Sequence, residues 1–396
     1  MRVERGDAVG LTRELVRIDS RNPSLVAGGP GEQQVAQALA NVLDAWGFQV
    51  DVVDAAPGRP NVVARIGKPG ARTLMFNGHL DVVGIDGMTH DPWSADANGH
   101  DGRLYGRGSS DMKAGVAAMC AAAARAGQAE LNGEIIIAAV ADEEYESIGT
   151  RSLIERGVRA DAAIVTEPTR LAIMPAHLGF VWADVTTHGR AAHGSRWDIG
   201  VDAIRHAGIL LAELDRMDDE ELPTRRHALL GRPSVHASLI SGGTGMSTYP
   251  DSCTVRIERR TIPGESPESV RRELESACSR ARSRQTKFRA DVNVTFSQEP
   301  SDVSVDAPIV RALGRALDAS GEEQRVEGMT AWTDAALLNA AGIPAICFGP
   351  GDISLAHAAE EWVSVSEIER ATNVLVRLVK EWFGGPADER GDSWRS

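Results

Sequence analysis

The chain has 396 residues, of which 42% are hydrophobic and 25% charged, and its 42 basic and 56 acidic side chains leave a formal net charge of −14. The length suggests two domains, the composition is that of a soluble globular protein, and the acidic balance argues against nucleic acid or an anionic membrane surface as a partner. The opening residues are charged throughout with no signal-peptide core, no later run reaches membrane-spanning length, and Cys120, Cys253, Cys278 and Cys347 are far apart without a C-x-x-C pair; the expectation is a cytoplasmic protein with reduced thiols.

In chain order, helical periodicity predicts helices over residues 5–18 and 31–46. Apolar strands follow at 48–53, 61–66, 73–79, 134–140 and 162–167, with an Ala-rich helix over 111–127 and a short helix over 150–157 among them. This alternation predicts an α/β sandwich with a largely parallel sheet. From residue 178 the order changes to strand 180–189, helix 200–216, strands 234–241 and 253–260, helix 267–284 and strand 288–296. That β-α-β-β-α-β order is ferredoxin-like and reads as a compact insertion. The first pattern then resumes with helices over 307–319, 332–340 and 366–383 and a strand at 344–348. The expected division is therefore 1–177 and 297–385 as one α/β domain, 178–296 as the insertion, and 386–396 as a flexible, solvated tail.

Residues able to do chemistry gather at the carboxyl ends of the predicted strands, where α/β domains keep their sites. "NGHLDVV" offers His79 and Asp81 two residues apart, on one face of a strand. His79 could bind a metal and Asp81 orient it, although alone a hydrogen-bonded histidine is the simpler account. Asp111 stands before the Ala-rich helix, where it could equally be an N-cap; "GRGSSD" around it lacks the G-x-x-x-x-G-K-[ST] phosphate-loop pattern. "ADEEYESIGT" puts Glu143 and Glu144 directly after an apolar strand, "IVTEPT" puts Glu167 after another, and His357 follows the loop "FGPGD". Crowded carboxylates repel one another, more so when buried, and neighbouring cations would relieve them. Two imidazoles with three carboxylates suit zinc, cobalt or manganese. Three carboxylates and a hydroxide balance two dications, and a bridging carboxylate would hold such ions roughly 3.5–4 Å apart.

The stretches "GHLDVV", "DPWSADANGHDGRLYGRGSSDMKAG", "ADEEYESIGT", "EPT", "ERRTIPGE", "TDAALL" and "FGPGDISLAHAAEEWV" strongly resemble the metallopeptidase superfamily of acetylornithine deacetylase, succinyl-diaminopimelate desuccinylase, aminoacylase and glutamate carboxypeptidase. They stand in family order over nearly the whole chain. The resemblance implies a zinc-peptidase-like catalytic α/β domain with an inserted ferredoxin-like lid and dimerisation domain, and hence a homodimer. It implies that His79 and Glu167 hold one divalent ion and Glu144 and His357 a second, zinc before cobalt or manganese. Asp111 would bridge the two, Asp81 would support His79, and Glu143 would act as general base. His193, in "HGRAAHGS", would help hold the scissile carbonyl, within its chain or across a dimer. Arg260, or its neighbour Arg259, would bind a substrate carboxylate. Where the family commonly has Asn, in the stretch "GGTGMSTYPDSC", this chain has Ser247, which lacks an amide's paired donor and acceptor. The remaining histidines (His90, His100, His177, His188, His206, His227, His236) read as ordinary polar residues.

The implied activity is metal-dependent hydrolysis of the amide of an N-acyl amino acid. Its alternatives are a dipeptidase or glutamate-carboxypeptidase-type exopeptidase, and, from another class, a non-catalytic metal-binding homologue. A binuclear phosphoesterase has no phosphate cradle to support it.

Overall fold

The computed structural model describes residues 3–70, 72–95, 102–127 and 131–384; His100 and the expected tail lie outside them. The chain divides into two compact units. One comprises Met1–Pro175, Val303–Glu327 and Thr333–Ser396, and the other Ala176–Asp302 with Gly328–Trp332.

The sheet of the first unit has the strand order Gln49–Ala56, Arg59–Gly67, Gly133–Val140, Arg72–His79, Ala163–Val165, Ala345–Cys347, Ile173–His177. Only the four strands from Gly133–Val140 to Ala345–Cys347 are mutually parallel. The flanking pairs are antiparallel, so the expected largely parallel sheet is in fact mixed. The cause at one edge is local. Pro57 and Gly58, the latter at φ +74°, separate the first two strands, and strands joined by so short a turn must run antiparallel. The parallel core is buried on both faces, as the run Ile135, Ile136, Ile137 suggests. Helix Ala114–Ala126 is almost wholly buried. It packs against Ala8–Val16 and Val365–Gly384, and the latter also packs on Pro308–Ser320. Small side chains let these helices approach closely. Gly115 marks the limit, because a Cβ there would sit 1.9 Å from the Thr166 carbonyl oxygen. The helix start is thereby held against the strand end that carries Glu167.

The second unit follows the order Gly179–His188, Ala203–Arg216, Ser234–Gly242, Ser252–Thr261, Pro267–Arg284, Ala290–Gln298, which is β-α-β-β-α-β. Its four strands are antiparallel, in the order Ala290–Gln298, Gly179–His188, Ser252–Thr261, Ser234–Gly242. Strict alternation explains the layering. Val181, Ala183 and Val185 share a core with Val270 and Leu274 of the second helix, while Phe180, Trp182, Arg256, Glu258 and Arg260 alternate with the buried positions. Asp202 caps the first helix by accepting from the Arg205 N–H, and Ser266 and Ser269 form a capping box on the second. Among the described residues no helix is long and apolar enough to cross a membrane.

Candidate functional site

Five segments of the first unit bring His79, Asp111, Glu143, Glu144, Glu167 and His357 together. His79 ends the strand Arg72–His79 and is buried. Its Nδ1 faces the Asp81 backbone carbonyl at 2.9 Å, and its Nε2 lies 3.0 Å from Asp111 Oδ1 and 3.9 Å from Glu143 Oε2. The other Asp111 oxygen, Oδ2, lies 3.6 Å from His357 Nε2. His357 Nε2 is in turn 2.9 Å from Glu144 Oε2. Asp111 thus turns one oxygen to each imidazole. Ligand atoms of His79, Glu143 and Glu167 gather within 4.8 Å of one another, as do those of His79, Asp111 and Glu144.

The local backbone explains this placement. The helix expected from residue 111 starts at Ala114, and Asp111 is extended at φ −117°, ψ 95°, with a cis peptide bond to Met112. Asp111 is therefore not an N-cap; its carboxylate goes to the two histidines instead. After Val140 the chain turns through Asp142 at φ +68°. The Glu143 and Glu144 N–H groups then donate to the two oxygens of Asp81, each at 3.2 Å. Asp81 so fixes both the His79 side and the double-glutamate turn.

Sequence reasoning missed the groups behind that turn. Asn22 Nδ2 donates to Asp81 Oδ2 at 2.8 Å and to Asp142 Oδ1 at 2.9 Å. Arg59 binds Glu32 through two nitrogens and also Asp142. Asp142 is therefore an anchor of the turn, and Glu146 is exposed. Buried Asp334 was also missed. Its Oδ2 accepts from the Thr150 hydroxyl at 2.6 Å, and burial lifts its pKa to about 6. Asn22, Glu32 and Arg59 carry no sequence signal of their own, because each is one polar side chain far along the chain from its partners, whereas Asp142 and Asp334 stand in the stretches "ADEEYESIGT" and "TDAALL" without a role of their own there.

The electrostatics are those of carboxylates crowded out of water. Burial raises Glu143 and Glu167 well above the ordinary carboxylate range; the His79 charge works against this, while neighbouring acids add to it. Burial and Asp111 raise Glu144. Burial favours a neutral His79 ring, but its hydrogen bond to Asp111 and the surrounding carboxylates together lift it well above its ordinary value. Glu144 lifts half-exposed His357 to about 9. Burial acts against Asp111 ionisation, yet the two histidines and Arg107 hold its pKa below normal. Glu144 Oε1 is buried with no hydrogen-bond partner, an orphan lone pair in a site built of acceptors. This N/O donor set fits one or two divalent ions of the zinc, cobalt or manganese type.

The second unit holds the other expected residues. His193 is exposed, with Nδ1 2.8 Å from Ser195 Oγ. Its loop meets the Ser247 loop: the Gly194 N–H donates to the Ser247 carbonyl at 2.7 Å, and His193 pairs with Thr248. Arg259 is buried against Glu265 and Glu273. Arg260 is half-buried over the Phe180 ring, with Nε 2.6 Å from Glu258. Of the two arginines, Arg260 is thus the one with solvent access. His177, His188, His206 and His227 each have local partners, and no described histidine other than His79 and His357 has a place in the cluster.

The sequence pattern of Peptidase family M20/M25/M40 matches residues 75–381. The chain is 33% identical to an acetylornithine deacetylase of Myxococcus xanthus over 352 residues, covering 87% of this chain and 90% of that protein. It is 27% identical to an N-formyl-4-amino-5-aminomethyl-2-methylpyrimidine deformylase of Bacillus subtilis over 377 residues, covering 87% and 88%. Among solved structures, aminopeptidase PepT of Bacillus cereus shares the fold with a TM-score of 0.78 at 20% identity, over 96% of this chain and 99% of that one.

Proposed function

The chain belongs to peptidase family M20/M25/M40, and on that premise we propose that it hydrolyses the amide bond of an N-acyl amino acid at two divalent metal ions, zinc before cobalt or manganese. The observation that supports this best is Asp111, whose two oxygens face His79 and His357 at 3.0 and 3.6 Å beside two glutamates. His79 and Glu167 would hold one ion, Glu144 and His357 the other, and Asp111 would bridge them. When bound, such ions acidify water and polarise a carbonyl. The chain's own residues do the rest. Asp81 orients His79 and fixes the turn that presents Glu143. Glu143 takes the proton of the attacking water and delivers it to the leaving amine nitrogen. The two curated relatives act on an acetyl and a formyl amide by their names, which favours removal of a small acyl group from an amine over cleavage of a dipeptide. The four cysteines are free and three of them buried, which supports a cytoplasmic location. The test is a panel of N-acyl amino acids and dipeptides with zinc, cobalt and manganese supplied separately. Turnover only of dipeptides would shift the reading to an exopeptidase, and no turnover on any member would overturn the enzyme reading.

Arg260 is proposed to bind the substrate carboxylate. Charge-assisted hydrogen bonds contribute about 1.5–3 kcal/mol, so Arg260→Ala should lower kcat/KM roughly 10–100-fold for substrates with a free α-carboxylate and much less for their amides. Equal loss on both classes counts against the clamp.

A homodimer with His193 acting across it is part of the same reading. Phe180 and Arg260 pair at one end of the two central strands of the second unit, His188 and Ser252 at the other. Eight residues of strand separate these ends, roughly 26 Å, and the His193 loop follows the far end. That separation favours two copies sharing each site, with Arg260 from one and His193 from the other. Edge strand Ser234–Gly242 exposes Leu239 and Ile240, a surface suited to a second copy. Mixing His193→Ala with Asp111→Ala chains should therefore restore part of the activity that each lacks. No recovery despite demonstrated subunit exchange would return His193 to its own chain.

A further inference from the structure

We propose that the buried ion pair Arg107–Glu361 is a positioning device that sets the metal affinity of the site, with neither residue itself a ligand. The inference rests on the reading of His79, Asp111 and His357 as ligands. Both side chains are almost wholly excluded from solvent, with Arg107 Nη1 2.5 Å from Glu361 Oε2. The other Glu361 oxygen, Oε1, accepts from two consecutive backbone N–H groups, Ser110 at 3.0 Å and Asp111 at 3.1 Å. Arg107 spends its remaining nitrogens on two carbonyls, Gly84 from Nε at 3.0 Å and Ala358 from Nη2 at 3.4 Å.

These contacts map onto the candidate ligands. Gly84 closes the segment that leaves His79 and Asp81, Asp111 is itself held by its N–H, and Ala358 directly follows His357. Burying two charges is costly, and an apolar pair of the same volume would often serve packing as well or better. An apolar pair could not accept two adjacent N–H groups while reaching two carbonyls on other loops. Asp111 has its extended backbone where Glu361 grips it, and the Ser110 and Asp111 N–H groups bond that carboxylate rather than a helix carbonyl. The pair ties three separately folded loops at the points where they deliver metal ligands, and supporting contacts of this kind tune affinity by roughly 10–100-fold.

The test uses full-length chain stripped with a chelator and titrated with zinc by calorimetry, alongside thermal unfolding of the stripped protein. Glu361→Gln removes the charge facing Arg107 and sets an amide against it. Arg107→Lys keeps a charge beside Glu361 and the two N–H contacts, and loses the reach to Gly84 and Ala358. Zinc affinity is expected to fall roughly 10–100-fold in Glu361→Gln and less in Arg107→Lys. With added zinc, kcat should recover and KM for the acyl substrate should stay at the wild-type value. A lowered unfolding midpoint with zinc affinity unchanged overturns the proposal, because it makes the pair structural only. Should Glu361→Gln not fold, Arg107→Lys decides by the same two readings. A wild-type chain that binds no zinc overturns the ligand assignment and the clamp together; wild type binding two ions with both variants its equal overturns the clamp alone.

Discussion

Glu143→Gln is expected to lower kcat by about 10²–10⁴-fold, and by more if the residue serves both proton transfers, while the variant still binds two metal ions and substrate. Glutamine keeps the shape of the side chain and removes its proton acceptor. The adjacent Glu144 should behave in the opposite way. Its Oε2 contacts His357 and its Oε1 is a buried orphan, so Glu144→Ala should reduce metal content first and activity as a consequence. Consecutive residues can differ so much because Asp81 grips both backbone N–H groups and lets the two side chains leave the turn separately. Each nonetheless gathers with His79, Glu143 beside Glu167 and Glu144 beside Asp111. Metal analysis with kinetics on both variants therefore decides the roles. Loss of metal in Glu143→Gln with retention in Glu144→Ala would reverse them.

The candidate residues were legible where a long apolar run ended abruptly in a charged or imidazole side chain. His79, Glu143, Glu144 and Glu167 each follow a strand that alternation or continuous burial makes obvious. The insertion was legible for the same reason, because Val181, Ala183 and Val185 alternate with polar or exposed neighbours. Asp111 was harder. A residue before an Ala-rich run reads locally as a cap, and only the two histidines, 32 positions before it and 246 after it, draw it out of that role. The antiparallel edge was signalled by the Pro57-Gly58 turn, which the run of strands and helices outweighed. The pairing of Arg103–Tyr105 with Trp362–Ser364 had no signal, since three-residue strands are too short for a period. Asn22, Glu32, Arg59, Arg107 and Glu361 were invisible for a different reason. A lone polar residue in a loop or at the end of an element is ordinarily solvated, and only tertiary folding takes it from water and forces it to find a partner.

Removing the metal should leave a protein whose stability falls as pH rises from about 5 to 9, with the opposite trend once metal is restored. The metal-free signs follow group by group. Glu143, Glu144 and Glu167 have folded pKa values above the ordinary carboxylate value, chiefly through burial. Burial likewise lifts Asp334 to about 6 and Glu361 to about 7. The folded state therefore binds protons that the unfolded chain has released, and stability is lost as pH climbs through that interval. His79 and His357 add to the trend. Their raised values, about 9 for His357, give stability that is full below the unfolded histidine pKa and is lost on passing the folded one. Asp111 has the reverse sign, since its lowered pKa gives stability that is lost only under strong acid, and buried Lys113 and His177, lowered to about 7 and about 4, also oppose the trend but are outnumbered by the seven raised groups. Metal binding would need the proposed ligands His79, Asp111, Glu144, Glu167 and His357 deprotonated, so it would release protons and strengthen with pH. Free metal at 1,000 times its dissociation constant adds about 4.1 kcal/mol per site. The gap between metal-loaded and stripped unfolding midpoints should therefore widen steadily from pH 5 to pH 8, and Asp111→Ala should abolish most of it. Parallel curves for the two forms, or a stripped protein that gains stability toward pH 8, would show that these carboxylates do not share a cation site.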